Sequence, residues 1–194
     1  MKKVIFVALA ALAVSSAAFA DEYVGVGVGT TNNTPTTQRS TYGVATYGQN
    51  LGQLTVDVRA TLVQANTPSN TVSNFIETGV RYNLADVAGL KPFVRVAVGE
   101  QISSTGNRTY ASVQPGVGYQ VTSALRADVS VTRAVTTSRV VGVAVDSTSY
   151  AVGATYALNA TNSVGVEYSH AVGAVGSISP TGTNAVFVGL THTL

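Results

Sequence analysis

After its first twenty residues the chain places apolar side chains at every second position and polar or small ones between them. The clearest run is 54–63, where Leu54, Val56, Val58, Ala60 and Leu62 share one face and Thr55, Asp57, Arg59 and Thr61 the other. A period of two is that of a β-strand, whose successive side chains point to opposite sides. The same split sets Ile76, Thr78, Val80, Tyr82 and Leu84 against Glu77, Gly79, Arg81 and Asn83, and Val94, Val96 and Val98 against Arg95, Ala97 and Gly99. It returns in Leu125, Ala127, Val129 and Val131 against Arg126, Asp128, Ser130 and Thr132. Turn signals divide the pattern into strands near 22–30, 40–47, 54–64, 73–84, 92–102, 110–120, 125–135, 148–158, 163–172 and 184–194. No segment carries a competing 3.6-residue apolar stripe.

The connections fall alternately into two classes. Thr31–Arg39, Ala65–Val72, Ser103–Thr109, Thr136–Ser147 and Gly173–Thr183 are longer and rich in Asn, Thr, Ser, Gly and Pro; Gly48–Gln53, Ala85–Lys91, Val121–Ala124 and Asn159–Asn162 are mostly shorter. A closed antiparallel up-and-down barrel with short turns at one end and longer loops at the other has this asymmetry and an even strand count. The predicted fold is therefore an all-β transmembrane barrel of about ten strands, with eight as the alternative if two of the segments are irregular.

The beginning of the chain changes the picture. Lys2 and Lys3 precede an apolar run from Val4 to Val14, followed by Ser15, Ser16 and Ala18-Phe19-Ala20. That is the order of a cleavable secretory signal peptide, and the run is well short of the roughly 20 residues a membrane helix needs. Residues 1–20 are expected to be removed and 21–194 to form one barrel domain. Lys2 and Lys3 are two of the eleven basic residues, so nine basic and nine acidic residues remain and no binding of nucleic acid is expected.

Charged residues make up only 10% of the chain, against about 25% in ordinary soluble domains. With no apolar helix after Ala20, strands are the remaining way to span lipid. Cysteine is absent and His170 and His192 are the only histidines, so neither disulfides, a structural metal nor a cofactor is expected. Tyrosines and phenylalanines fall near the proposed strand ends: Tyr42, Phe75, Tyr110, Tyr150, Tyr168 and Phe187 toward the long loops, and Tyr47, Tyr82, Phe93, Tyr119 and Tyr156 toward the short turns. Two interfacial girdles are expected from this placement. A secreted soluble β-sandwich would share the alternation but place more rings at strand centres.

Together the signal peptide, the alternating strands and the final run Val186-Phe187-Val188-Gly189-Leu190-Thr191-His192-Thr193-Leu194 resemble the broad, porin-like superfamily of small bacterial outer-membrane β-barrel proteins. The resemblance covers the mature chain and is architectural. It implies export through the periplasm, integral residence in the outer membrane among lipids that include lipopolysaccharide, and handling by the barrel-assembly machinery, which recognises an alternating terminal strand. Val186, Val188, Leu190 and Leu194 keep that alternation, whereas Leu194 stands where an aromatic residue is usual and His192 where one is common.

On the polar faces lie Asp57, Glu77, Asp128 and Glu167 with Arg59, Arg81, Arg95 and Arg126, four acids against four bases. Pairing across the 65–72 connection brings either Arg59 opposite Glu77 or Asp57 opposite Arg81, and an ion pair is expected in either register. These charges neutralise one another in a filled lumen, or they line a polar passage, because ten strands enclose slightly more than the eight-stranded barrel that side chains fill. Gly25, Gly27 and Gly29 share one strand face; with no helix following, close packing or a local opening in the lumen is expected rather than a nucleotide site. Pro115 lies within a strand and requires a bulge or a local break.

Catalysis is not expected. Tyr168-Ser169-His170 is similar to the histidine region of outer-membrane lipid A deacylases, but those carry a serine two residues after the histidine, where Val172 stands here, and no acid follows His170. Omptin-like proteolysis needs acidic pairs and a histidine at the external mouth, for which Asp146, Glu100 and His170 are the sole candidates. The readings that remain are a structural or surface-interaction barrel and a narrow passive porin-like channel for small polar solutes, with a lipid A-modifying enzyme behind both.

Overall fold

The computed structural model describes residues 21–34, 39–65, 72–103, 106–136, 145–175 and 180–194. They form ten strands, β1 (Glu22–Thr34), β2 (Arg39–Leu51), β3 (Leu54–Ala65), β4 (Val72–Asn83), β5 (Leu90–Ser103), β6 (Gly106–Gln120), β7 (Leu125–Thr136), β8 (Val145–Ala157), β9 (Asn162–Val175) and β10 (Pro180–Thr193). Each pairs antiparallel with its neighbours in sequence, and β1 pairs with β10 to close the barrel. Ten strands are thus present, not eight, and a single closed sheet replaces the sandwich alternative. The expected signal peptide lies outside the described residues.

The strands run further toward the long connections than the apolar alternation suggests. β1 continues to Thr34, β6 begins at Gly106 and β10 at Pro180. There the ladder is carried by polar residues: Asn32 pairs with Asn184 and Asn33 with Thr183, whose hydroxyl donates to Asn33 Oδ1 at 2.8 Å. Backbone pairing needs no apolar face, so the strands outlast the lipid-matched pattern.

At the opposite end the hairpins are tight. Gly52 takes a positive φ of 69° between β2 and β3, while Ala88 and Gly89 (φ 55° and 82°) form the two-residue turn closed by the Val87–Leu90 bridge. Positive φ at both central residues is the turn whose twist matches that of a hairpin. Asn159 Oδ1 accepts from the backbone N–H of Thr161 and Asn162, at 3.0 and 2.8 Å, to shape the β8–β9 turn.

The molecule is apolar outside and polar inside. Val26, Val98 and Leu190 are 60%, 61% and 53% exposed on the outer face, whereas Phe93 and Ala97, both on β5, are the only buried hydrophobic residues among those described. Closure satisfies every strand edge and the outer band suits hydrocarbon. Pro115 is accommodated by a local break. The β6–β7 ladder pairs Val113 with Arg133 and Gly116 with Ser130, leaving Gln114 and Pro115 unpaired with no shift of register.

Of the two aromatic girdles expected, the one at the turn end is present and the other is largely replaced. Tyr47, Tyr82, Tyr119 and Tyr156 take the outward parity near the turns, but Phe93 points inward. Toward the long connections Tyr150 and Tyr168 point outward, while Tyr42, Phe75, Tyr110 and Phe187 face the lumen. Position along a strand fixes the height of a ring, but parity fixes its side. Phe75 shares parity with Glu77, and Phe187 with Gly189.

Candidate functional site

The register directs all eight candidate charges, Asp57, Arg59, Glu77, Arg81, Arg95, Arg126, Asp128 and Glu167, into the lumen. Arg59 stands opposite Glu77, one of the two registers expected, and Asp57 stands opposite Gly79. The ion pair, however, does not form between directly opposed residues. Arg95 on β5 reaches across β4 to donate from Nε to Asp57 Oδ2 at 2.9 Å, and its Nη2 lies 2.8 Å from Glu77 Oε1. Gly79 makes this possible, because a Cβ there would run into the guanidinium.

Arg95 and Asp57 are 7% and 4% exposed. One cation therefore serves two carboxylates, and the Tyr110 hydroxyl adds a hydrogen bond to Glu77 Oε2 at 3.1 Å. A buried charge group of this kind stands only with such additional donors.

Around this knot, inward rings lie over glycines on the neighbouring strand. Tyr23 is opposite Gly48, Tyr42 opposite Gly29, Phe93 opposite Gly116 and Tyr110 opposite Gly99. At each glycine an added Cβ would strike the ring, so the bare backbone is what admits it. Tyr42 stacks on Phe187 with centroids 6.0 Å apart, and Phe75 meets Tyr110 edge-on at 6.4 Å. Gly27 and Gly29 pack against Phe187 and Tyr42, the close packing that was one of the alternatives expected of the β1 glycines, while Gly25 has only ordinary contacts and borders a cavity.

The opposite wall is hollow. A cavity of about 360 Å³ is bounded by Tyr42, Thr61, Arg59, Tyr23, Glu167 and Thr191. It shares Glu167, Phe187, Gly189 and Thr191 with a second of about 180 Å³, which shares Asp128 and Thr155 with a third of about 270 Å³ at the turn end. Arg81, Arg126, Ser123 and Ser163 complete the third. The cavities thus follow one another along β9, the first also walled by β1, β2 and β3 and the third by Arg81 of β4 and Gln120 of β6, and five of the eight candidate charges line them. Asp57, Glu77 and Arg95 do not.

The lumen rings and the glycines at 79, 116, 153, 165 and 189 were not anticipated as site residues. Their parity was legible, since each alternates with outward Val, Leu or Tyr, but which ring covers which glycine depends on register.

The residues weighed for catalysis are not gathered. Glu100 on β5 and His170 on β9 take the outward parity on non-adjacent strands. His170 Nδ1 lies 2.8 Å from Asn184 Oδ1, which also accepts from the Tyr168 hydroxyl at 2.8 Å. Asp146 belongs to the start of β8. Among the described residues no three His, Asp or Glu side chains are grouped to hold a metal ion.

No family model matches the sequence, and no curated protein matches it significantly. Solved structures do match. An outer-membrane channel from Pseudomonas putida F1 is similar at a TM-score of 0.56 and 9% identity, over 92% of this chain and 97% of that one. The outer-membrane protease OmpT from Escherichia coli is similar at 0.51 and 10% identity, over 90% and 97%. At these identities the likeness is one of fold, and the fold is that of the bacterial outer-membrane β-barrels.

Proposed function

We propose that this integral outer-membrane β-barrel is a narrow passive channel for small polar solutes, which pass along the β8–β10 side of the lumen. The observation that carries the reading is the succession of three cavities with shared walls, lined by Gly, Thr and Ser and by Arg59, Arg81, Arg126, Asp128 and Glu167. A polar interior of this kind supplies hydrogen bonds to a partly dehydrated solute without holding it tightly. The Arg95 knot, Phe93 and the edge-on pair Phe75 and Tyr110 keep the far side of the barrel filled, so the passage is narrower than a ten-stranded circumference allows.

The test is conductance of the refolded mature protein in a planar bilayer, after heat-dependent gel mobility has confirmed folding. Discrete steps are expected. Gly165→Leu is expected to at least halve them, because a side chain at Gly165 meets only ordinary contacts and projects toward the passage. A folded, inserted and silent barrel overturns the channel. A structural or surface-interaction role then remains, which the filled lumen around Arg95 supports.

A further inference from the structure

The charges of the lumen do not divide evenly between its two halves. Arg95 is committed to Asp57 and Glu77, which leaves Arg59, Arg81 and Arg126 against Asp128 and Glu167 along the hollow side. Two of those three cations, Arg81 and Arg126, line one cavity at the turn end, whose described lining holds one acid, Asp128.

Neither guanidinium is in ion-pair contact with a carboxylate among the described residues. Arg81 is fixed in place: its Nε donates to Asn83 Oδ1 at 2.9 Å and its Cζ lies 3.6 Å from the centre of the Phe93 ring. Arg126 is pressed against Gly118, and its Nε is buried with no hydrogen-bond partner. Two like charges brought to one small cavity repel each other, and an orphaned donor adds to the cost. A small anion between them removes both penalties.

We infer that this cavity is a weak binding site for a small oxyanion, a phosphate or the carboxylate of a short solute. Two guanidinium forks match the paired oxygens of such groups. Gln120, Ser123, Thr155 and Ser163 supply further hydrogen-bonding groups around the cavity. Asp128 opposes the anion and keeps the site weak, which suits a group that must leave again. The consequence for transport, a preference of the passage for anions, rests on the channel reading; the site itself does not.

The site is tested on the full mature barrel refolded in micelles, with inorganic phosphate as the probe followed by phosphorus NMR. Saturable broadening with a dissociation constant on the order of millimolar is expected. Arg81→Gln and Arg126→Gln are each expected to weaken binding at least tenfold, Arg126→Lys to retain part of it, and Arg133→Gln, on the outer face, to leave it unchanged. Heat-dependent gel mobility establishes that each variant is folded. In a bilayer under a potassium chloride gradient, the reversal potential is expected to favour chloride and to move toward potassium in the Arg81→Gln/Arg126→Gln double variant. Absence of saturable binding, or binding indifferent to both arginines, overturns the site even if the barrel conducts. Binding lost in the variants of a barrel that is silent in the bilayer overturns the channel and leaves the site standing.

Discussion

The inward positions of β3 to β6 carry Asp57, Glu77, Phe93, Arg95 and Tyr110 around one filled centre, with Arg59, Thr61 and Arg81 at its margin on the cavities, whereas the same parity on β8 to β10 carries Gly153, Thr155, Ser163, Gly165 and Gly189. The outer faces of the two halves are alike: Val96 is 53% exposed on one and Val152 52% on the other. Lipid therefore dictates one face of every strand equally, and only the other face decides whether a stretch of wall is filled or hollow. Bulky residues on half of the circumference fill that half because glycines at 79, 99 and 116 let guanidinium and ring lie flat on the opposing backbone. Glycines at 25 and 165 adjoin the cavities instead, with only ordinary contacts around them. The same residue type admits a neighbour on one side and leaves room on the other.

The strongest way to break this contrast is to remove the cation of the filled half. Arg95→Ala leaves Asp57 and Glu77 buried without a counter-charge, and is expected to cost about 3–5 kcal/mol of unfolding free energy. Urea unfolding in micelles, read by gel mobility, gives the value. The triple replacement Asp57→Asn, Glu77→Gln, Arg95→Met is expected to recover most of the loss, since no lone charge then remains. On the hollow side Glu167→Gln is expected to change stability by less than about 1 kcal/mol, since the lumen cavities already bound its carboxylate. Equal effects at Arg95 and Glu167 would mean that the two halves do not differ in kind.

Much of this architecture was legible in the sequence. The period-two runs place all ten strands because lipid on one side enforces the alternation, and the eight lumen charges follow from their parity. What parity cannot supply is reach across strands. Of the two registers expected, the one that sets Arg59 opposite Glu77 is formed, yet Glu77 bonds to Arg95, because the absent side chain at Gly79 opens a diagonal path that pairwise register does not describe. The loop-end girdle failed for a related reason. Tyr42, Phe75, Tyr110 and Phe187 stand at heights suited to an interface but on the inward parity, where the glycines opposite Tyr42 and Tyr110 accept their rings. The cavities are least legible of all, since they depend on which of the inward positions remain uncovered.

The same single-atom change, made at two glycines, sharpens the contrast from the other direction. At Gly79 a Cβ meets the Arg95 guanidinium, which is held by two carboxylates and cannot yield without losing them. Gly79→Ala is therefore expected to destabilise by about 1–3 kcal/mol, the usual cost of overpacking.

At Gly25 the nearest atoms to an added Cβ are Leu190 O and Thr191 Oγ1, both at 3.5 Å, and beside them lies the cavity of about 360 Å³. Nothing there must move. The backbone of an alanine has less freedom to lose on folding than that of a glycine, so Gly25→Ala is expected to stabilise by roughly 0.5–1 kcal/mol. Because both substitutions add one methyl group to the lumen face of a strand, strand propensity contributes alike to each, and the difference in sign between their urea midpoints isolates the packing of the two halves. Midpoints that fall together would show the wall at Gly25 to be as full as the wall at Gly79, leaving no room there for a passage.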